Sequence, residues 1–294
     1  MERQTYQQIL DRLKGVDSWL LGHGIANNVD RIRLHIHNIA NLKQAYEDGT
    51  LKKLTDKRGT VELMWSLVEG TEFADIYTAL RDYDPGVLRK KLRDALKGPV
   101  APPKETSRSN IGRNTMFELN LASRLVRARV PVCLGAGPDI LCHLDRRAIY
   151  IQCKRPLGEK KIQRSISKAR KQLTHDLDES QRKSARGVIA ISFSRILNPG
   201  DKLFVVRRQN MMTRLSDEIR DLAEKQCESW EKIVDTRIIG VLFHLITPAF
   251  IEDINLLVAA QEIAVFNVKP PLIFPVDSDG LMLRDLGNLL KRKS

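Results

Sequence analysis

The sequence predicts an α/β domain with a mixed sheet, preceded by an all-α helical bundle domain. Three observations carry that reading. Residues 1 to about 97 repeat apolar side chains at helical spacing and lack β-branched alternation. A Pro-rich polar stretch, Gly98 to Asn110, then breaks the pattern and reads as an interdomain linker. From Ile111 onward, helical runs interleave with short strand-like runs through to Ser294, giving α-β-β-β-α-β-α-β and a C-terminal extension.

The helical domain rests on four runs. They are Tyr6, Ile9, Leu13, Val16, Trp19 and Leu20; then Ile32, Leu34, Ile39, Leu42 and Tyr46; then Val61, Leu63, Met64, Leu67 and Val68; and Val87, Leu88, Leu92 and Leu96. In the second domain, Met116 to Arg129 forms a helix with Phe117, Leu121 and Leu125 on one face. Strands follow near Val132, at Asp139 to Leu144 and at Ala148 to Lys154. A basic helix spans Glu159 to Arg182, and Gly187 to Phe193 is a strand buried on both faces. Arg207 to Val234 reads as a helix, Arg237 to Leu245 as a strand and Leu281 to Ser294 as a terminal helix.

Composition narrows the partners. The 294 residues are 42% hydrophobic and 29% charged, a globular balance. Lys plus Arg number 49 against 36 Asp plus Glu, so the net charge is +13, which attracts polyanions, nucleic acid first. The longest apolar stretch, Ile238 to Ile246, is interrupted by His244 and is too short for a spanning helix of roughly 20 residues. The polar start, Met1 to Thr5, shows no secretory h-region. Cys133, Cys142, Cys153 and Cys227 have no CxxC spacing, which suits thiols in a reducing cytoplasm. Aromatic residues are only 5%, against base stacking as the main binding mode.

The stretch Pro138 to Lys154 concentrates the chemistry. A two-residue turn at Asp145-Arg146 places Leu144 opposite Arg147 and Asp139 opposite Gln152, with Lys154 on the same face. Ile140, Cys142, Leu144, Ile149, Ile151 and Cys153 then form an apolar opposite face. A three-residue turn would set Asp139 against Cys153 and scatter the polar group. A carboxylate and an amide carbonyl are hard oxygen ligands suited to Mg²⁺ or Mn²⁺, and a lysine beside them can orient water or stabilise phosphate charge.

Pro138-Asp139 followed by Gln152-Cys153-Lys154 resembles the PD-(D/E)xK nuclease superfamily, in a QxK variant similar to Mrr-type enzymes. The resemblance covers about residues 111–195. It implies a restriction-endonuclease-like fold over 111–294 and Glu118, on the preceding helix, as a fourth site residue. It further implies Mg²⁺ (or Mn²⁺) held by Glu118, Asp139, Gln152 and the Cys153 backbone carbonyl, with Lys154 assisting the attacking water. The products would carry a 3′-hydroxyl and a 5′-phosphate, and the polymer would be double-stranded DNA, in a defence or restriction setting. Gln152 departs from the commoner acid and removes a negative charge. A degenerate member that binds nucleic acid or a partner without cleavage therefore stays open. The helical domain would recognise the target, bind a partner or join two copies as a homodimer.

The basic helix adjoins this hairpin. Between Lys154 and Arg186, eleven Lys or Arg face four Asp or Glu, which is +7 of the +13. Ile162, Ile166, Ala169 and Leu173 form its apolar seam. Arg155, Lys160, Lys161, Arg164, Lys168, Lys171 and Gln172 are the candidate nucleic-acid contacts, and Ser165, Lys168 and Gln172 share one side of the helix. A solvated charged face is the competing reading. Gly135-Ala136-Gly137 lacks a third glycine and precedes a strand, so it is not a dinucleotide loop. His35 and His37 point apart on a helix, one packed and one exposed. His143 is read as structural.

Overall fold

The computed structural model describes residues 5–25, 30–55, 60–100, 102–106, 108–135, 137–268 and 277–291. Met1 to Gln4, Ala136 and Arg292 to Ser294 lie outside these. The elements in the first part of the chain are α1 (Tyr6–Gly22), α2 (Asp30–Glu47), α3 (Leu51–Thr55), α4 (Val61–Leu80), α5 (Pro85–Ala95) and α6 (Ile111–Arg127). There follow β1 (Val132–Cys133), β2 (Ile140–Leu144), β3 (Arg147–Lys154), α7 (Ile162–Ser180), β4 (Arg186–Ser192) and α8 (Ser194–Leu197). Last come β5 (Phe204–Val206), α9 (Met211–Gln226), α10 (Glu228–Glu231), β6 (Ile238–Ile251), β7 (Leu256–Asn267) and α11 (Ser278–Lys291). The chain is thus mixed α/β. Among the described residues no helix is long and apolar enough to cross a membrane.

Two compact units emerge, and both are discontinuous in sequence. The first is Met1–Asn120, Asn198–Arg214 and Ile246–Gln261; the second is Leu121–Leu197, Leu215–Leu245 and Glu262–Ser294. The expected helical segment 1–97 and linker 98–110 fall inside the first unit, and residues 111–294 are shared between the two.

In the first unit, α1 is nucleated by a capping box. Thr5 Oγ1 accepts from Gln8 N at 3.1 Å, and Gln8 Oε1 accepts from Thr5 N at 2.8 Å. The predicted periodic residues Tyr6, Ile9, Leu13, Val16 and Leu20 are buried, as are Ile32, Ile39 and Leu42 of α2. His35 is fully buried and His37 exposed, as their spacing requires. α4 packs against both helices, and Gly70 lets Leu13 and Ile39 close on its backbone. The Pro-rich stretch is pinned. Arg31 Nη1 donates to the carbonyls of Lys97 (3.1 Å) and Gly98 (3.0 Å), and Arg113 Nη2 donates to Val100 O at 2.6 Å. Both arginines also bracket the buried carboxylate of Glu69, with Arg31 Nη2 at 2.6 Å, Arg113 alongside and His35 Nε2 at 3.2 Å. The strand β5 pairs in parallel with residues 249–251 of β6.

In the second unit, β1, β2 and β3 are antiparallel neighbours, β3 pairs in parallel with β4, and β4 in parallel with β6. The hairpin has the two-residue turn: Leu144 faces Arg147 and Ile140 faces Ile151. Asp145 (φ 47°) and Arg146 (φ 65°) both take positive φ, as a type I′ turn demands. Ile140, Cys142, Ile149 and Ile151 are fully buried, and Ala148, Tyr150 and Gln152 on the other face of β3 are buried as well, so the two-residue turn rather than one-sided burial fixes the register. α7 covers β3 and β4 with Ile162, Ile166, Ala169, Leu173 and Leu177, all buried, and Leu173 and Leu177 close over Gly187. None of the four cysteines forms a disulfide.

Several boundaries differ from the sequence reading. The basic helix proper begins at Ile162, after a 3₁₀ turn at Glu159–Lys161. The helix expected to reach Val234 ends at Gln226, before the short α10. β6 continues to Ile251 through Thr247-Pro248, where proline reads as a stop. β5 and β7 were not anticipated. β7 carries Ala259, Ala260, Gln261 and Glu262 at its centre, which gives neither alternation nor a continuous apolar run.

Candidate active site at the end of the hairpin

Asp139 sits one residue before β2, after Gly137, whose φ of +96° suits glycine. The main-chain ladder between β2 and β3 ends at Ile140–Ile151, and the Asp139 side chain takes over from it: Oδ2 accepts from Cys153 N at 2.7 Å. That bond fixes the carboxylate against β3, within reach of Lys154.

Lys154 Nζ lies where three oxygens meet. It donates to Cys153 O at 2.9 Å and to Gln152 Oε1 at 3.3 Å, and it is 3.5 Å from Asp139 Oδ2. Gln152 is 3% exposed, while the Lys154 and Asp139 side chains keep 18% and 26% of their surface in solvent. The cluster is therefore anchored on a buried amide and open at the acid and the amine. Gln152 Nε2 donates to Asp176 Oδ2 of α7 at 2.9 Å.

Asp139, Gln152, Lys154 and the Cys153 carbonyl are thus brought together. Glu118 belongs to the first unit, where its Oε2 lies 2.7 Å from Lys91 Nζ. Among the described residues no group of three His, Cys, Asp or Glu side chains gathers as a metal cluster. The convergent donors are instead one carboxylate, one amide oxygen and one main-chain carbonyl. These are hard oxygens already arranged around a cationic nitrogen, and they fit Mg²⁺ or Mn²⁺ in donor type.

The basic residues follow the hairpin in sequence, over the 3₁₀ turn and α7. Lys160, Lys161, Arg164, Lys168 and Lys171 are exposed, Arg155 is half-buried, and the Gln172 Oε1 atom is buried with no hydrogen-bond partner among the described residues. Leu157, Gly158, Glu159, Lys160, Lys161 and Gln226 line an open cavity of about 660 Å³ directly after the hairpin. His143 is half-buried, within the β2 ladder opposite Ala148.

Two residues of this unit were missed. Asp176 is the partner of Gln152; extending the Ser165–Lys168–Gln172 side of the helix by one turn would have reached it. His244, on β6, is 1% exposed. Burial pushes its imidazole down to about 3, and the positive charges of Arg124 and Arg155 add to that. The folded value lies below the ordinary 6.5, so its contribution to stability is present above pH 6.5 and is lost as pH falls toward 3. Replacing His244 with Gln is expected to flatten the acid limb of stability below pH 6.5. Urea midpoints across that range check it, and an unchanged slope contradicts it.

Comparison with protein-family models, with curated proteins and with solved structures finds no match.

Proposed function

We propose that the chain is a metal-dependent nuclease of restriction-endonuclease-like fold, hydrolysing phosphodiester bonds in double-stranded DNA. One observation carries the reading. The Lys154 ammonium lies at the meeting point of Asp139, Gln152 and Cys153 oxygens, next to a helix whose solvent face is basic. The chain order helix, three antiparallel strands, helix, parallel strand over α6 to β4 supports the fold.

Asp139 Oδ, Gln152 Oε1 and the Cys153 carbonyl would hold Mg²⁺ or Mn²⁺, with Glu118 as the further donor implied by the motif. When bound, such an ion polarises a phosphoryl oxygen and acidifies water. Lys154, freed from its three acceptors, donates to the attacking water or to a non-bridging phosphate oxygen. Asp139 holds its place through the Cys153 N–H. Lys160, Lys161, Arg164, Lys168, Lys171 and Arg155 neutralise backbone phosphates, and cleavage leaves 3′-hydroxyl and 5′-phosphate ends. The thiols suit a cytoplasmic setting.

Binding is expected to be strongly salt-dependent. Each phosphate neutralised contributes about −0.9 to the slope of log K against log salt. Lys168→Ala with Lys171→Ala should lower that slope by about 2, measured by fluorescence anisotropy on a labelled duplex without divalent metal; an unchanged slope removes α7 from the interface. Among the described residues one carboxylate, that of Asp139, touches Lys154, and that observation favours a second reading, binding without cleavage. In that case the same duplex is bound with the same slope but stays intact in Mg²⁺ and Mn²⁺.

A further inference from the structure

The replacement of an acid by Gln152 leaves two questions: what fixes the direction of its amide, and what supplies the missing charge. The second unit answers both with one residue. A carboxylate accepts hydrogen bonds, and an ammonium only donates them. Gln152 lies between Asp176 Oδ2, at 2.9 Å, and Lys154 Nζ, at 3.3 Å. Its NH₂ must therefore face Asp176 and its carbonyl oxygen must face Lys154; the reverse orientation would set amide hydrogens against the ammonium. Gln152 is 3% exposed, so water cannot relieve a reversed amide. Asp176 also borders the loop leading into Asp139: a Cβ at Gly137 would stand 3.9 Å from its Oδ1.

We infer that Asp176 is a positioning residue that holds the Gln152 carbonyl oxygen toward the cation position and supplies, one residue further out, the negative charge that Gln152 lacks. The inference rests on the metal-site reading above. The functional unit is then an amide–acid pair split between β3 and α7, in place of a single acid on the strand. Such a pair is interchangeable. An acid at 152 and an amide at 176 would keep the hydrogen bond, the carbonyl-type oxygen toward the cation and the net charge.

The test uses the full chain and Mn²⁺ alone, with affinity read by calorimetry and folding checked by urea midpoint. Asp176→Ala removes both bond and charge. Asp176→Asn keeps an acceptor for Gln152 Nε2 and removes only the charge. Both are expected to weaken Mn²⁺ binding about tenfold, the lower end of what outer partners of metal ligands contribute. The double variant Gln152→Glu with Asp176→Asn is expected to return to within about threefold of the parent. A residue that merely ties β3 to α7 would leave affinity unmoved in Asp176→Asn and show no recovery in the double variant; either result overturns the inference, as does a parent that binds no Mn²⁺. Cleavage by the same proteins separates the two readings. The expected Mn²⁺ pattern in a chain that cuts no polymer keeps this inference and ends the nuclease reading. Metal-dependent cutting with unmoved Mn²⁺ affinities does the opposite.

Discussion

Lys154→Ala and Asp139→Asn should each lower metal-dependent cleavage by about 10²- to 10⁴-fold, the range that positioned proton-transfer and charge-stabilising groups supply. The two substitutions are chosen for what they leave intact. Asn at 139 retains an oxygen to accept from Cys153 N, so the end of the hairpin stays closed while the charge is lost. Alanine there would strand that N–H at a cost of about 1–3 kcal/mol and confuse folding with chemistry. Lys154 and Asp139 are partly solvated, but Gln152 Oε1 is buried, so truncating Lys154 should cost about 1–3 kcal/mol of stability, a shift of the urea midpoint that is separable from the far larger loss of cleavage. Salt-dependent binding to uncut duplex should match the parent in both variants. If both variants cut at the parental rate, the Asp139–Lys154 assignment is wrong. If binding collapses with cleavage, the residues serve affinity.

Glu69→Gln should have the largest effect on stability. Glu69 is 2% exposed and serves Arg31, Arg113 and His35 at once. Burial pushes its carboxyl up, but Arg113, Arg31 and the hydrogen bond from His35 outweigh that and hold it far below the usual carboxylate range. Neutralising it takes the buried carboxylate away from Arg31 and leaves Arg113 with the more distant Glu105, at 3.6 Å; breaking such a buried pair costs about 3–5 kcal/mol. The same arginines hold the carbonyls of Lys97, Gly98 and Val100, so the Pro-rich stretch should gain protease sensitivity. The folded-state value is depressed, so this stabilisation is present above about pH 4.5 and is lost as pH falls below it. By contrast, Glu47→Gln removes a surface pair with Lys43 and should cost no more than about 0.5 kcal/mol. Equal urea midpoints for the Glu69 and Glu47 variants would remove the buried network as a source of stability.

What the sequence made legible was local. Apolar spacing of 3.6 located α1, α2, α4 and α5, and the seam of α7, because helix periodicity and burial are set within a few residues. The turn length fixed the hairpin register and so brought Asp139, Gln152 and Lys154 to one end. Non-local pairing was the part that stayed hidden. Glu69 reads as a surface acid in a helix until Arg31 and Arg113 arrive from elsewhere in the chain. Asp176 reads as part of a charged helix end until the packing of α7 on β3 turns it toward Gln152. Pro248 stops a strand in any local reading, yet β6 passes through it and pairs with β5. β7 has no period to detect. The discontinuity of the two units follows from the same cause: β6 and β7 each contribute to both, and no local signal marks where a strand changes its company.

The most direct measurement is the fate of a supercoiled plasmid incubated with the purified chain across Mg²⁺ and Mn²⁺ concentrations, with end-group analysis of the products. The expected result is nicked or linear DNA with 5′-phosphate and 3′-hydroxyl ends, abolished by EDTA and by Asp139→Asn. Plasmid that stays supercoiled in both metals, with single-stranded DNA and RNA equally intact, contradicts the nuclease reading and leaves a fold that binds without cutting.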